Sequence, residues 1–155
     1  MVEEIKIRKY NDNDYQSMYD LHIKAMQKIG AYKGDGPWDN DLKDIQNNYF
    51  NNKGFFYIAE LNNEIIGMGA FRKIDYKTAE IKRMRVSPGY QGRGIGKMIL
   101  DKLIVKAKEY GYKKLMLETS DKQIAANKLY MKSGFVEMKK ELIDGFNCTW
   151  YEREV

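Results

Sequence analysis

The stretch Arg85-Val86-Ser87-Pro88-Gly89-Tyr90-Gln91-Gly92-Arg93-Gly94-Ile95-Gly96-Lys97 constrains this chain more than any other. The residues before it, Ala79 to Val86, read as a strand: Ile81 is apolar, and Met84 and Val86 keep period two. A helical pattern follows. Ile95, Ile99 and Leu103 recur on one stripe, with Leu100, Ile104 and Ala107 on the next. A glycine-rich turn from a strand into a helix suits an anion. Gly92, Gly94 and Gly96 carry no side chain, so backbone N–H groups can approach a ligand. The first N–H groups of a helix lack internal partners, and the helix dipole favours negative charge there. Arg93 and Lys97 add positive charge at the same spot.

Spacing excludes two familiar phosphate loops. A P-loop would need glycine at Gln91 and a hydroxyl at Met98. A dinucleotide fingerprint would need its third glycine at Lys97, and it comes one residue early, at Gly96. What fits is Gln/Arg-x-x-Gly-x-Gly, in Gln91-Gly92-Arg93-Gly94-Ile95-Gly96. This resembles the acyl-coenzyme A loop of the GNAT N-acetyltransferase superfamily. The context resembles it too. Lys114 to Thr119 reads as the next strand. Asn127-Lys128-Leu129-Tyr130-Met131-Lys132-Ser133-Gly134-Phe135 is similar to the family's Asn-x-x-Tyr-x-x-x-Gly-Phe helix. The resemblance is dense in the second half of the chain and rests on element order in the first.

The remaining elements can be read directly. Glu4 to Tyr10 alternates as a first strand, and Asn11 to Asp14 has turn and cap chemistry. Asp14 to Ile29 reads as a helix with Met18, Leu21, Ala25 and Ile29 inward, stopping at Gly30. Ala31 to Asn40 is irregular. A short helix from about Asp41 to Phe50 should follow, with Leu42, Ile45 and Tyr49 inward and Asp39 or Asn40 as its cap. Phe55 to Leu61 and Glu64 to Lys73 form a hairpin around Asn62-Asn63. Val136 to Ile143 and Phe146 to Arg153 form another around Asp144-Gly145. The crossover through Gly92–Tyr112 demands one parallel pair. The expected fold class is therefore α+β: a twisted, mostly antiparallel sheet of about seven strands with one parallel pair, helices on both faces, in one domain over 1–155.

The resemblance implies an N-acetyltransferase acting on acetyl-CoA and a primary amine by direct attack, without an acyl-enzyme. Gln91 to Lys97 would hold the pyrophosphate. Met84, Arg85 and Val86 would carry the pantetheine arm as an added strand. A bulge there would splay that strand from Lys114–Thr119 and turn the Met84 N–H toward the thioester oxygen. Tyr130 would donate a hydrogen bond to the leaving thiolate, and Asn127 would bond the coenzyme. Glu80 is either the base that takes the amine proton or a solvent-facing strand glutamate paired with Lys82 or Arg72. Trp38, Asp35 and Asp39 combine aromatic and acidic character in the segment where the family's acceptor site lies, which would suit an amine cation. Two of them also have a plain structural reading: Trp38 as a packing anchor, Asp39 as a cap.

Other classes fit less well. Net charge is +5, but the lysines are dispersed rather than gathered into a nucleic-acid patch. The N-terminus, Met1 to Arg8, shows no apolar leader, and no apolar run is long enough to span a bilayer. One cysteine, Cys148, permits no internal disulfide and fits the cytoplasm; it reads as a buried structural thiol. The only histidine, His22, cannot build a metal cluster and reads as a surface or half-buried helix residue, so no metal is expected. Alternatives remain: a non-catalytic acyl-CoA sensor, or acetylation of a peptide amine. A homodimer through the tail strands is a further expectation from the resemblance.

Overall fold

Seven strands form one sheet in the order β1-β2-β3-β4-β5-β7-β6. The structure, a computed structural model, describes residues 4–155. The expectation of no leader rests partly on Met1 to Glu3, which lie outside the described residues. The strands are β1 (Lys6–Lys9), β2 (Phe55–Leu61), β3 (Glu64–Lys73), β4 (Thr78–Val86), β5 (Lys114–Ser120), β6 (Val136–Ile143) and β7 (Phe146–Glu154). The helices are α1 (Tyr15–Lys28), α2 (Ile45–Asn48), α3 (Ile95–Glu109) and α4 (Ile124–Lys132). Among the described residues, only β4 and β5 pair in parallel, as the α3 crossover requires. The mixed sheet expected from the sequence is the sheet observed.

Alternation along β2 builds two cores. Phe55, Tyr57, Ala59 and Leu61 meet both apolar stripes of α3. Phe56 and Ile58 point to the other face, against Met18 and Leu21 of α1 and against Leu42, Ile45 and Tyr49. Each such large side chain contributes roughly 1.5–3 kcal/mol when buried. The β2–β3 hairpin closes at Asn62 and Asn63, whose φ angles of 50° and 63° match the mirror-image turn that such hairpins favour.

The region before β2 departs from expectation. The continuous helix expected from Asp41 to Phe50 is broken into a 3-10 stretch (Pro37–Lys43), the single turn α2 and a second 3-10 turn (Phe50–Asn52). The cap of α2 is Asp44, which accepts from the Asn47 N–H at 3.3 Å, rather than Asp39 or Asn40. Asp39 is unavailable because its carboxylate is buried against Arg83 and His22. Leu42, Ile45 and Tyr49 are nonetheless buried, as their spacing implied.

Strand β4 carries the feature that opens the sheet. Met68 pairs with Arg85 and Ala70 with Lys82, so two steps along β3 match three along β4. The extra residue is Arg83, at φ 61°. Opposite the bulge, a Cβ on Gly69 would lie 2.5 Å from the Met84 sulfur, so this side chain packs on bare backbone. Beyond Thr78↔Lys114, Ala79↔Leu115 and Glu80↔Met116 the parallel ladder ends, while β5 stays with β7. A wedge opens between β4 and β5. Among the described residues, no helix is long and apolar enough to cross a membrane.

Candidate active site

One side of the wedge is a groove of about 390 Å³. It is lined by Met84 to Val86, by Gln91, Gly92 and Gly94 to Lys97, and by α4. Helix α3 starts after Gly94, whose φ of 78° turns the chain, and no side chain caps it. Its first internal bond runs from the Met98 N–H to the Gly94 carbonyl. The N–H groups of Ile95 to Lys97 therefore have no helical acceptor and sit at the positive end of the helix dipole. That arrangement fits a diphosphate. Gln91 is braced by the Val86 carbonyl at 3.3 Å and by Lys28 at 3.2 Å. Arg93 is exposed and stacks 5.2 Å over the Tyr90 ring instead of lining the groove. Lys97 pairs with Asp101 at 2.7 Å. Lys122, not singled out by the sequence, lines the groove as well.

The other side is a cleft of about 270 Å³ whose wall includes Trp38, Glu80, Lys82, Thr119 and Phe146. Groove and cleft share Ile29, Met84, Arg85, Gln123 and Tyr130, so the two cavities meet at the end of the wedge. Tyr130 is buried, with Phe135 at 5.9 Å and Tyr151 at 6.4 Å between ring centres. Burial pushes its phenol above the usual range, and the charge of Arg85 pulls back only in part. Glu80 is buried, not solvent-facing, and its nearest cation is Arg72 at 3.7 Å. Burial lowers the Lys82 ammonium, with Glu80 opposing.

The expected acceptor carboxylates lie elsewhere. Asp35 is on the surface, 3.2 Å from Lys43. Asp39 is 3% exposed, and its Oδ1 meets His22 Nε2 at 3.1 Å and Arg83 Nη1 at 3.0 Å. Two partners already meet that oxygen, which ties Asp39 to α1 and to the bulge of β4. Trp38 does border the cleft, half-exposed, and donates Nε1–H to the Gly34 carbonyl at 3.0 Å. Asn127 also departs from expectation. Its carboxamide donates to the Ser120 and Gln123 carbonyls and accepts from the Thr119 and Tyr151 hydroxyls. It ties β5 to α4 and leaves no capacity for the coenzyme.

Arg83 is the centre of the buried network. Besides Asp39 it binds both oxygens of Asp41 and the Trp38 carbonyl. The Tyr49 hydroxyl donates to Asp41 too. Burial works against the charge of Asp41, yet the Arg83 bonds hold its carboxyl below the usual range. The bulge at Arg83 is thus clamped to the 3-10 stretch beneath it.

His22 is buried against this network, not half-exposed as expected. Burial, then the charge of Arg85, pushes its pKa down from 6.5 to about 4, with Asp39 opposing. The unfolded chain binds this proton first. Stability from His22 is therefore full above pH ~6.5 and is lost as pH falls toward ~4, by about 3 kcal/mol in all. Melting temperature should drop across that window, and His22→Gln should flatten the drop. Equal slopes in the two proteins would show that His22 is not the group responsible. Cys148 is free and buried, and burial pushes its thiol up to about 12, which makes it a poor nucleophile. Among the described residues, no three His, Cys, Asp or Glu side chains gather in a metal-holding group.

Similarity to known proteins points the same way. Residues 15–135 match the model of the acetyltransferase (GNAT) family. N-acetyltransferase 8F1 of Rattus norvegicus is 31% identical over 111 residues, covering 68% of this chain and 50% of the relative. The chain thus spans about half the length of that curated relative. A GNAT-family acetyltransferase structure from Staphylococcus aureus Mu50 superposes with a TM-score of 0.88 at 30% identity, over 97% of this chain and 99% of that one. The PaiA N-acetyltransferase of Thermoplasma acidophilum, solved with coenzyme A, shares the fold at a TM-score of 0.78 and 21% identity, over 98% and 99% of the two chains. With the glycine loop, the bulged and parted strands and a family match over most of its length, this chain belongs to the acetyltransferase (GNAT) family.

Proposed function

We propose that this chain transfers an acetyl group from acetyl-CoA to a primary amine of a small molecule, by direct attack with both substrates bound. One observation carries the reading: a groove under uncapped helix N–H groups meets a second, polar cleft at Tyr130 and Met84. Such a meeting point sets two substrates side by side and removes the entropy barrier to their encounter. The amides of Gly92 to Lys97 hold the diphosphate, and the Met84–Val86 backbone holds the pantetheine arm. The amine nitrogen attacks the thioester carbon; the C–N bond forms and the C–S bond breaks. The Met84 N–H faces the developing oxyanion. Glu80 takes the amine proton, and Tyr130 donates a hydrogen bond to the departing sulfur.

The cytoplasmic setting belongs to this reading, supported by the free thiol of Cys148. For a second copy of the chain, the exposed edge strand β6, with Val136, Met138 and Leu142 outward, is the surface that supports pairing.

The test is thiol release from acetyl-CoA across a panel of small amines and peptides. Turnover with small amines is expected. Turnover confined to peptides would remove the small-molecule part, and none on any acceptor would remove the reaction. Coenzyme A binding is checked separately. Gly94→Val places a β-branched residue at φ 78°, and a loop conformer disfavoured by about 2 kcal/mol weakens apparent affinity about 30-fold. Calorimetry with coenzyme A reads this; unchanged affinity would mean the loop is not the diphosphate site.

A further inference from the structure

Among the described residues, one charge at the junction has no ion pair. Arg85 lines both cavities. Its single hydrogen bond runs from Nη1 to the adjacent Met84 carbonyl at 2.8 Å. Its Nε is fully covered and has no partner. Among the described residues, no carboxylate comes within ion-pair distance of it. Lys82, half-buried in the same cleft wall, also lacks an ion pair.

The other cations of the cleft are answered, and so are two of its three acids. Arg83 has Asp39 and Asp41. Lys33 has Asp144 at 3.2 Å. Glu80 has Arg72. Of the lining acids, Glu118 is left, and it is exposed. Among the described residues, the sheltered wall therefore presents two cations without an ion pair, Arg85 and, within the field of Glu80 and Asp41, Lys82. An unmatched charge withdrawn from water is unfavourable, and a planar guanidinium fork with free donors matches a carboxylate.

We infer that Arg85, assisted by Lys82, binds a carboxylate of the acceptor, so that the amine acetylated here belongs to an amino acid. The inference rests on the acetyl-transfer reading and narrows its substrate. Arg85 and Tyr130 share the junction, so the carboxylate sits close to the attacking nitrogen, which is the geometry of an α-amino acid. The coenzyme is the other source of anions. Its diphosphate, however, is met by the amides of Gly92 to Lys97, on the far side of the turn that begins at Ser87. This replaces the cationic acceptor site expected at Asp35 and Asp39 with an anion-reading one.

The experiment compares α-amino acids with the amines that remain after removing their carboxylate. Binding to the protein saturated with coenzyme A is measured by calorimetry, and kcat/KM by thiol release, for wild type, Arg85→Met and Arg85→Lys. Wild type should prefer the amino acids. Arg85→Met should weaken amino-acid binding about 100-fold and bare-amine binding little, with Arg85→Lys between the two. The KM for acetyl-CoA reads the Met84–Val86 backbone, which the substitution keeps, and should shift less than amino-acid binding does. Arg85→Met should also melt no lower than wild type, because it removes an unpaired charge; a structural role would lower it. Amino acids that bind through Arg85 but are never acetylated would uphold the carboxylate site and overturn both the proposed reaction and the amino-acid acceptor. Bare amines acetylated as well as amino acids would uphold the reaction and overturn the inference. A loss confined to acetyl-CoA would reassign Arg85 to the coenzyme, and no amino-acid binding at all would also overturn the inference.

Discussion

Arg83→Met should lower stability by about 3–5 kcal/mol, the usual effect of removing one partner from a buried ion pair. For a chain of this size the melting temperature should fall by roughly 10 °C. The reason is local. The Arg83 side chain is 10% exposed, Asp39 4% and Asp41 10%. Without the guanidinium, both carboxylates are left in poor solvent, and Tyr49 has an unbalanced anion beside its hydroxyl. Two controls separate charge from backbone. Arg83→Gly removes the same charge but also relieves the strain of φ 61°, worth of order 1 kcal/mol, so it should melt above Arg83→Met. Adding Asp39→Asn and Asp41→Asn to Arg83→Met should recover most of the loss. A shift of less than about 2 °C in Arg83→Met would mean the clamp contributes nothing.

Tyr130→Phe should reduce kcat about 100-fold in the proposed reaction, the lower end of what a positioned proton donor supplies. The KM for acetyl-CoA should change little, since the ring and its packing on Phe135 are kept. The hydroxyl works as a hydrogen-bond donor rather than as a full acid. In reference conditions a phenol near ~10 giving its proton to a thiolate near ~8.5 is uphill by about 2 kcal/mol, and burial widens that gap. Tyr130 therefore stays protonated through the neutral range, and the pH–rate profile should show no limb that disappears in Tyr130→Phe. A variant keeping more than about a third of wild-type kcat would remove Tyr130 from the chemistry.

Much of the architecture was legible from residues a few positions apart. The two stripes of α3, the Asn62-Asn63 turn and the glycine loop are local patterns, and local patterns survive into the fold. The bulge was not legible from the residues alone, and its trace emerges only with the packing. Ile81 is odd-numbered while Met84 and Val86 are even, yet all three pack on the same core. That change of phase within one strand is the mark of an inserted residue. The clamp left none. It joins His22, Asp39, Asp41 and Arg83 across up to 61 positions, from 22 to 83, and no periodicity links them. The acidic segment misled for a physical reason: Asp39 looked free because its partners, Arg83 and His22, lie elsewhere in the chain. Asn127 misled in the same way, its motif position being legible and its four internal bonds not.

The parallel ladder between β4 and β5 spans only three paired positions. On one side of it stand four strands, on the other three. The molecule thus resembles two plates joined along a short seam, and the seam runs into the place where substrates would sit. Amide hydrogen exchange should be fastest along that line in the free protein. Whatever fills the wedge then acts as mortar, so catalytic occupancy and mechanical stiffness rise together.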